Sequence, residues 1–175
     1  MITLVLGGAR SGKSGIAEGL AARLPEPVSY LATAPVTSVA GDAEMAARVA
    51  AHQARRPGSW RTIETGEELA AAVAAAEGTV LIDALGTWVA QFPDFDIDRA
   101  GLCRALAGRG GDTVIVSEEV GLGVHPSGDA GRRFRDALGQ LNQAVAAVAD
   151  EVLLVVAGRT LRLEDPRPHH SSLRS

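Results

Sequence analysis

The sequence predicts an α/β fold built on a mostly parallel sheet with helices on both faces. Three observations carry this. Short apolar runs of strand length alternate with longer helical stretches along the chain. The first run, Ile2 to Leu6, leads directly into Gly7-Gly8-Ala9-Arg10-Ser11-Gly12-Lys13-Ser14, which fills the phosphate-loop pattern G-x-x-x-x-G-K-[ST]. A chain of 175 residues suffices for one covered sheet, because a domain of this size buries roughly 70% of its unfolded surface.

Each element follows in order. Ile2 to Leu6 reads as a buried strand, and Ser14 to Arg23 as an amphipathic helix ended by Pro25 and Pro27. Val28 to Thr33 is a second strand. A loop through Pro35 and Gly41 precedes a helix from about Asp42, as N-cap, to Arg55, closed by Pro57 and Gly58. Arg61 to Glu64 is a short strand, after which Thr65-Gly66-Glu67-Glu68 has capping-box spacing for a helix to about Ala76. Thr79 to Asp83 is the next strand, followed by a helical stretch through Trp88, a break at Pro93, a helix from roughly Asp98 to Ala107 and the strand Thr113 to Ser117. A glycine-rich loop, Gly121 to Gly128, opens the long helix from Asp129 to Val148. Glu151 to Ala157 and Thr160 to Leu163 form a closing hairpin across Gly158-Arg159, so the last strand is an antiparallel edge. The expectation is one P-loop nucleotide-binding α/β domain over residues 1–163, with 164–175 a mobile polar tail.

Composition narrows the function. A net charge of -4 offers no basic surplus for nucleic acid. The single cysteine, Cys103, excludes an internal disulfide framework and a cysteine-based zinc site, and fits a cytoplasmic protein. No apolar run approaches the ~18 residues of a membrane span, and no leader pattern opens the chain, so a soluble, untargeted protein is expected.

Lys13 is the one lysine against 16 arginines. An ammonium is a compact point charge that enters a loop of N–H groups where a planar guanidinium does not fit, so composition marks Lys13 as a phosphate ligand. Backbone amides of residues 8–14 would wrap terminal phosphates, and the Ser14 hydroxyl would reach Mg²⁺. The acid usual on the metal side is supplied by Asp83, at the end of Val80-Leu81-Ile82, with Glu119, after Val114 to Ser117, as its rival; either also reads as a helix cap or a solvated charge. His52 lies between Arg48 and the pair Arg55, Arg56 at helical spacing. It reads either as a solvated histidine on a basic face or as an imidazole kept neutral for nucleophilic attack, with arginines holding phosphate oxygens.

Taken together, the phosphate loop, Tyr30-Leu31-Ala32-Thr33-Ala34, Glu44 to Arg48 running into His52 and Arg56-Pro57, Trp60-Arg61-Thr62, Leu81-Ile82-Asp83, Glu119-Val120-Gly121-Leu122-Gly123 with Pro126, and Asn142 before Ala149-Asp150-Glu151-Val152 resemble the bifunctional adenosylcobinamide kinase and adenosylcobinamide-phosphate guanylyltransferase family. The resemblance implies phosphorylation of adenosylcobinamide by ATP or GTP, then transfer of GMP from GTP through a guanylylated histidine, at the position of His52. It implies nucleotide contacts at Gly7, Gly8, Ala9, Arg10, Ser11, Gly12, Lys13, Ser14, Ala32, Thr33, Ala34, Gln53, Ala54, Arg55, Arg56, Glu64 and Asp83. It also implies a homotrimer. Glu118 stands where the family usually has asparagine, and Ala84 where it often has cysteine; neither is assigned a role. Two other functions fit the phosphate loop alone: a single-function small-molecule kinase, and an oligomeric ATPase acting on a protein partner.

Overall fold

The computed structural model describes residues 1–34 and 56–166. The helix expected over 42–55, with His52, Gln53, Ala54 and Arg55, lies outside the described residues, as does 167–175 of the expected tail.

The apolar runs become strands because alternate side chains bury on opposite faces of one sheet. Among the described residues seven strands form: β1 Ile2–Gly7, β2 Val28–Ala32, β3 Arg61–Glu64, β4 Thr79–Asp83, β5 Thr113–Glu118, β6 Glu151–Val156 and β7 Arg159–Leu163. They lie in the order β3-β2-β4-β5-β1-β6-β7. Every pairing is parallel except β6 with β7. The α/β fold with an antiparallel edge pair is therefore as the sequence predicts.

The pleat separates two cores. Ile2, Leu4 and Leu6 of β1 join Leu31, Ile82 and Ile115 beneath α2 Leu69–Ala75, α3 Leu85–Val89, α4 Arg99–Gly108 and α5 Asp129–Ala146. On the opposite face Val5, Tyr30, Leu81, Val114, Val116 and Val155 pack with Ala17 and Ala21 of α1 Lys13–Ala21. Strand register then decides what the second face carries at its end. Ala32 pairs with Asp83, Asp83 with Val116, and Gly7 with Glu118, so Asp83 and Glu118 project on the α1 face at the carboxyl ends of β4 and β5.

Two local expectations change. The Thr65 box does not cap a helix: the Thr65 N–H bonds the Ala32 carbonyl at 3.0 Å, and its hydroxyl also faces Ala32. Thr65 thus prolongs the β2–β3 edge, and α2 begins only at Leu69, with Glu68 as N-cap. The closing turn is centred on Ala157 (φ 50°) and Gly158 (φ 73°), one residue earlier than expected. Two successive left-handed residues are what a tight two-residue hairpin needs.

Candidate functional site

A cradle forms at the carboxyl end of the sheet. Gly7 ends β1 and Gly12, at φ 93°, is the N-cap of α1, so the chain reverses through residues that tolerate left-handed backbone. A Cβ on Gly7 would stand 2.9 Å from the Val155 carbonyl, which is why the loop passes so close to β6. The hairpin turn props the loop from below: the Gly158 N–H donates to the Ser11 carbonyl at 2.8 Å. The loop closes on itself through Ser11 N–H to the Gly8 carbonyl at 3.3 Å. Gly8, Ala9 and Arg10 are exposed above it. The first-turn N–H groups of the nine-residue α1 have no intrahelical acceptor and give this mouth a positive end.

Lys13 and Ser14 open α1 and lean into the cradle. The Lys13 ammonium lies 3.4 Å from the Gly8 carbonyl and 3.8 Å from Glu118 Oε1. The Ser14 hydroxyl faces Asp83 Oδ1 at 3.5 Å. The other Asp83 oxygen accepts the Tyr30 hydroxyl at 2.8 Å, and the Arg56 guanidinium stacks over the Tyr30 ring at 3.6 Å from its centroid. A chain of contacts therefore links Arg56 to the first turn of α1 through Tyr30 and Asp83. Burial, reinforced by the Asp83 charge, pushes the Tyr30 hydroxyl far up, so it remains a proton donor to that carboxylate.

Glu118 is the site residue that sequence reasoning did not assign. Its Oε2 accepts the Gly86 N–H at 3.0 Å, and its carbonyl accepts the Asn142 side-chain amide at 3.0 Å. Asn142 in turn accepts the Ser117 hydroxyl at 2.6 Å. Burial raises the Glu118 carboxyl above the ordinary glutamate value, while Lys13 pulls it back. The rival acid turns aside: Glu119 Oε1 accepts the Gly121 N–H at 2.7 Å, within its own loop.

The loop after β2 is fastened from beneath. The Thr33 hydroxyl donates to the Ala84 carbonyl at 2.7 Å, accepts the Ala84 N–H at 3.0 Å, and touches the Thr87 hydroxyl. Gln91 donates to the Thr33 carbonyl at 2.6 Å. Ala32 and Thr33 thus stand beside Asp83, followed by Ala34; Glu64 ends β3 one strand further out and is exposed. Of the sequence-predicted residues, the structure brings Gly7 to Ser14, Ala32, Thr33 and Asp83 together, with Arg56 reaching in over Tyr30. Glu64 stands at the rim.

Ser14 and Asp83 present hard oxygen donors to one another at the end of α1. That donor set fits Mg²⁺, which keeps several waters and takes few protein ligands. Among the described residues no cluster of three or more histidine, cysteine or acidic side chains forms a metal cage.

A parallel sheet, a glycine cradle at its carboxyl end, a lysine and serine opening the next helix, and an acid on a neighbouring strand define a P-loop nucleotide-binding protein. The cobinamide kinase / cobinamide phosphate guanyltransferase family model matches residues 3–163, and the chain belongs to that family. It is 43% identical over 173 residues to the bifunctional adenosylcobalamin biosynthesis protein CobP of Pseudomonas aeruginosa, covering 94% of this chain and 98% of that protein. The corresponding CobU proteins of Salmonella typhimurium and Escherichia coli are 35% and 34% identical, each over 94% of this chain and 100% of theirs. Among the described residues no helix is long and apolar enough to cross a membrane.

Proposed function

We propose that the protein phosphorylates adenosylcobinamide with ATP or GTP, and then transfers GMP from GTP to adenosylcobinamide phosphate through a guanylylated His52, giving adenosylcobinamide-GDP and pyrophosphate. Membership of a cobinamide kinase and cobinamide phosphate guanyltransferase family supports the pair of reactions. The observation that carries the kinase half is the convergence of Lys13, Ser14 and Asp83 on one glycine cradle.

Phosphoryl transfer passes through a loose transition state in which charge spreads over the moving oxygens, so catalysis is chiefly positioning and charge stabilisation. Loop amides, the α1 N-terminus and Lys13 hold the terminal phosphates. Ser14 and Asp83 would hold Mg²⁺, which supplies charge neutralisation between phosphate oxygens when bound. Tyr30 fixes the Asp83 carboxylate, and Thr33 fixes the backbone around Ala84. Ala32, Thr33, Ala34 and Glu64 line the path along neighbouring strand ends toward the base and sugar.

In the second reaction a ring nitrogen of His52 attacks the α-phosphorus of GTP, the bond to the β-phosphate oxygen breaks, and pyrophosphate leaves. A phosphate oxygen of adenosylcobinamide phosphate then attacks the same phosphorus, breaking the P–N bond and restoring the imidazole. Gln53, Ala54, Arg55 and Arg56 accompany the histidine in sequence, and Arg56, stacked on Tyr30, offers a guanidinium to phosphate oxygens. The active form is a cytoplasmic homotrimer. Substituting His52→Ala abolishes guanylyl transfer while leaving most of the phosphorylation, and Lys13→Ala weakens nucleotide binding and phosphorylation. Guanylyl transfer that survives His52→Ala would overturn the covalent route.

A further inference from the structure

The cation of the phosphate loop already has an anion beside it. Glu118 Oε1 lies 3.8 Å from the Lys13 ammonium, at the carboxyl end of the strand adjoining β1. This is no loose surface acid. Its second oxygen is tied to the Gly86 N–H in α3, and its backbone carbonyl to Asn142 in α5. A Cβ on Gly86 would collide with Glu118 Oε2, so the absence of a side chain there is what admits the carboxylate. Two elements therefore hold Glu118 at a fixed distance from Lys13. A phosphate entering the cradle seeks the same ammonium, and it does so facing two carboxylates, Glu118 and Asp83.

We propose that Glu118 is a positioning residue that sets nucleotide affinity: it is the resident counter-ion of Lys13, competes with phosphate oxygens for the ammonium, and reclaims it as the diphosphate product departs. The inference rests on the nucleotide-binding part of the proposed function and deepens it. At 3.8 Å the pair is long and makes no direct hydrogen bond, so a net contribution of about 1 kcal/mol is taken, and removing the competing charge tightens nucleotide binding about fivefold. A purely structural role for Glu118 would give the opposite sign, since loosening the end of β5 weakens the cradle.

The test titrates wild type, Glu118→Gln and Glu118→Asp with ADP and with a non-hydrolysable ATP analogue, both with Mg²⁺, by calorimetry. Thermal melting checks each fold. Glutamine keeps an acceptor for Gly86 and removes the charge; it is expected to bind both nucleotides about fivefold more tightly and to release ADP more slowly. Aspartate keeps the charge and stays within about twofold of wild type. Should Glu118→Gln not fold, Glu118→Asn removes the same charge and carries the same expectation. Folded neutral variants that bind no more tightly than wild type would overturn the counter-ion role alone. A wild-type protein that binds neither nucleotide would overturn the nucleotide-binding reading and this inference with it.

Discussion

Tyr30→Phe isolates one bond at the centre of the site. The tyrosine is buried in β2, and its hydroxyl donates to Asp83 Oδ2 at 2.8 Å. Phenylalanine keeps the ring, so the packing with Leu81 and Val114 and the stacking under Arg56 persist and no cavity opens. The loss is confined to a hydrogen bond onto a charged acceptor, for which about 1.5–3 kcal/mol is usual. Asp83 is partly exposed and regains some hydration, so the lower part applies: about 2 kcal/mol, or a fall in Tm of about 4–8 °C for a chain of this length. Urea denaturation with an unchanged m-value is the assay. The same variant removes one of the bonds that orient Asp83 toward Ser14, so KM for the triphosphate rises while the fold holds. A stability loss below about 0.5 kcal/mol would mean that the bond is no better than hydration and that Tyr30 does not fix Asp83.

Thr33→Val removes a fully buried hydroxyl that both donates to the Ala84 carbonyl and accepts its N–H; a loss of about 2 kcal/mol is expected by urea denaturation, and a neutral result would contradict the bonding described. Glu118 gives a signed pH dependence. Its folded carboxyl titrates above the ordinary value, chiefly through burial, with Lys13 pulling it back and the Asp83 charge pushing it further up, so between the ordinary and the raised value the folded state holds a proton that the unfolded chain has lost. Stability therefore falls as pH rises from the ordinary glutamate value through the raised one. Urea midpoints from about pH 4 to about pH 7 should fall less in Glu118→Gln than in wild type.

Much of the fold is legible because strands buried on both faces leave a plain apolar signal, as Leu4 to Leu6, Val80 to Ile82 and Val114 to Val116 do. The phosphate loop is legible because its chemistry dictates residue types at fixed spacing. Asp83 is legible as the acid that ends an apolar strand. Glu118 is not, because its importance depends on which strand lies beside β1 and on a glycine far along the chain at position 86. One signal existed: Val114, Val116 and Glu118 share parity, which puts Glu118 on the α1 face with Lys13, whereas Glu119 points elsewhere. Thr65 shows the reverse failure. Its capping-box spacing is a local preference, and the backbone bond to Ala32, a tertiary contact invisible in the spacing, overrides it. The bonds joining Tyr30, Asp83 and Arg56 belong to the same class of long-range pairing.

The guanylyl transfer proposed above requires a covalent nucleotidyl-histidine. Incubating the pure protein with GTP and Mg²⁺, without cobinamide, and reading the intact mass tests it most directly. A single GMP adduct is expected, mapping to His52, lost in acid and persisting in base. Folded, nucleotide-binding protein that gains no adduct, or gains it at another residue, would contradict it.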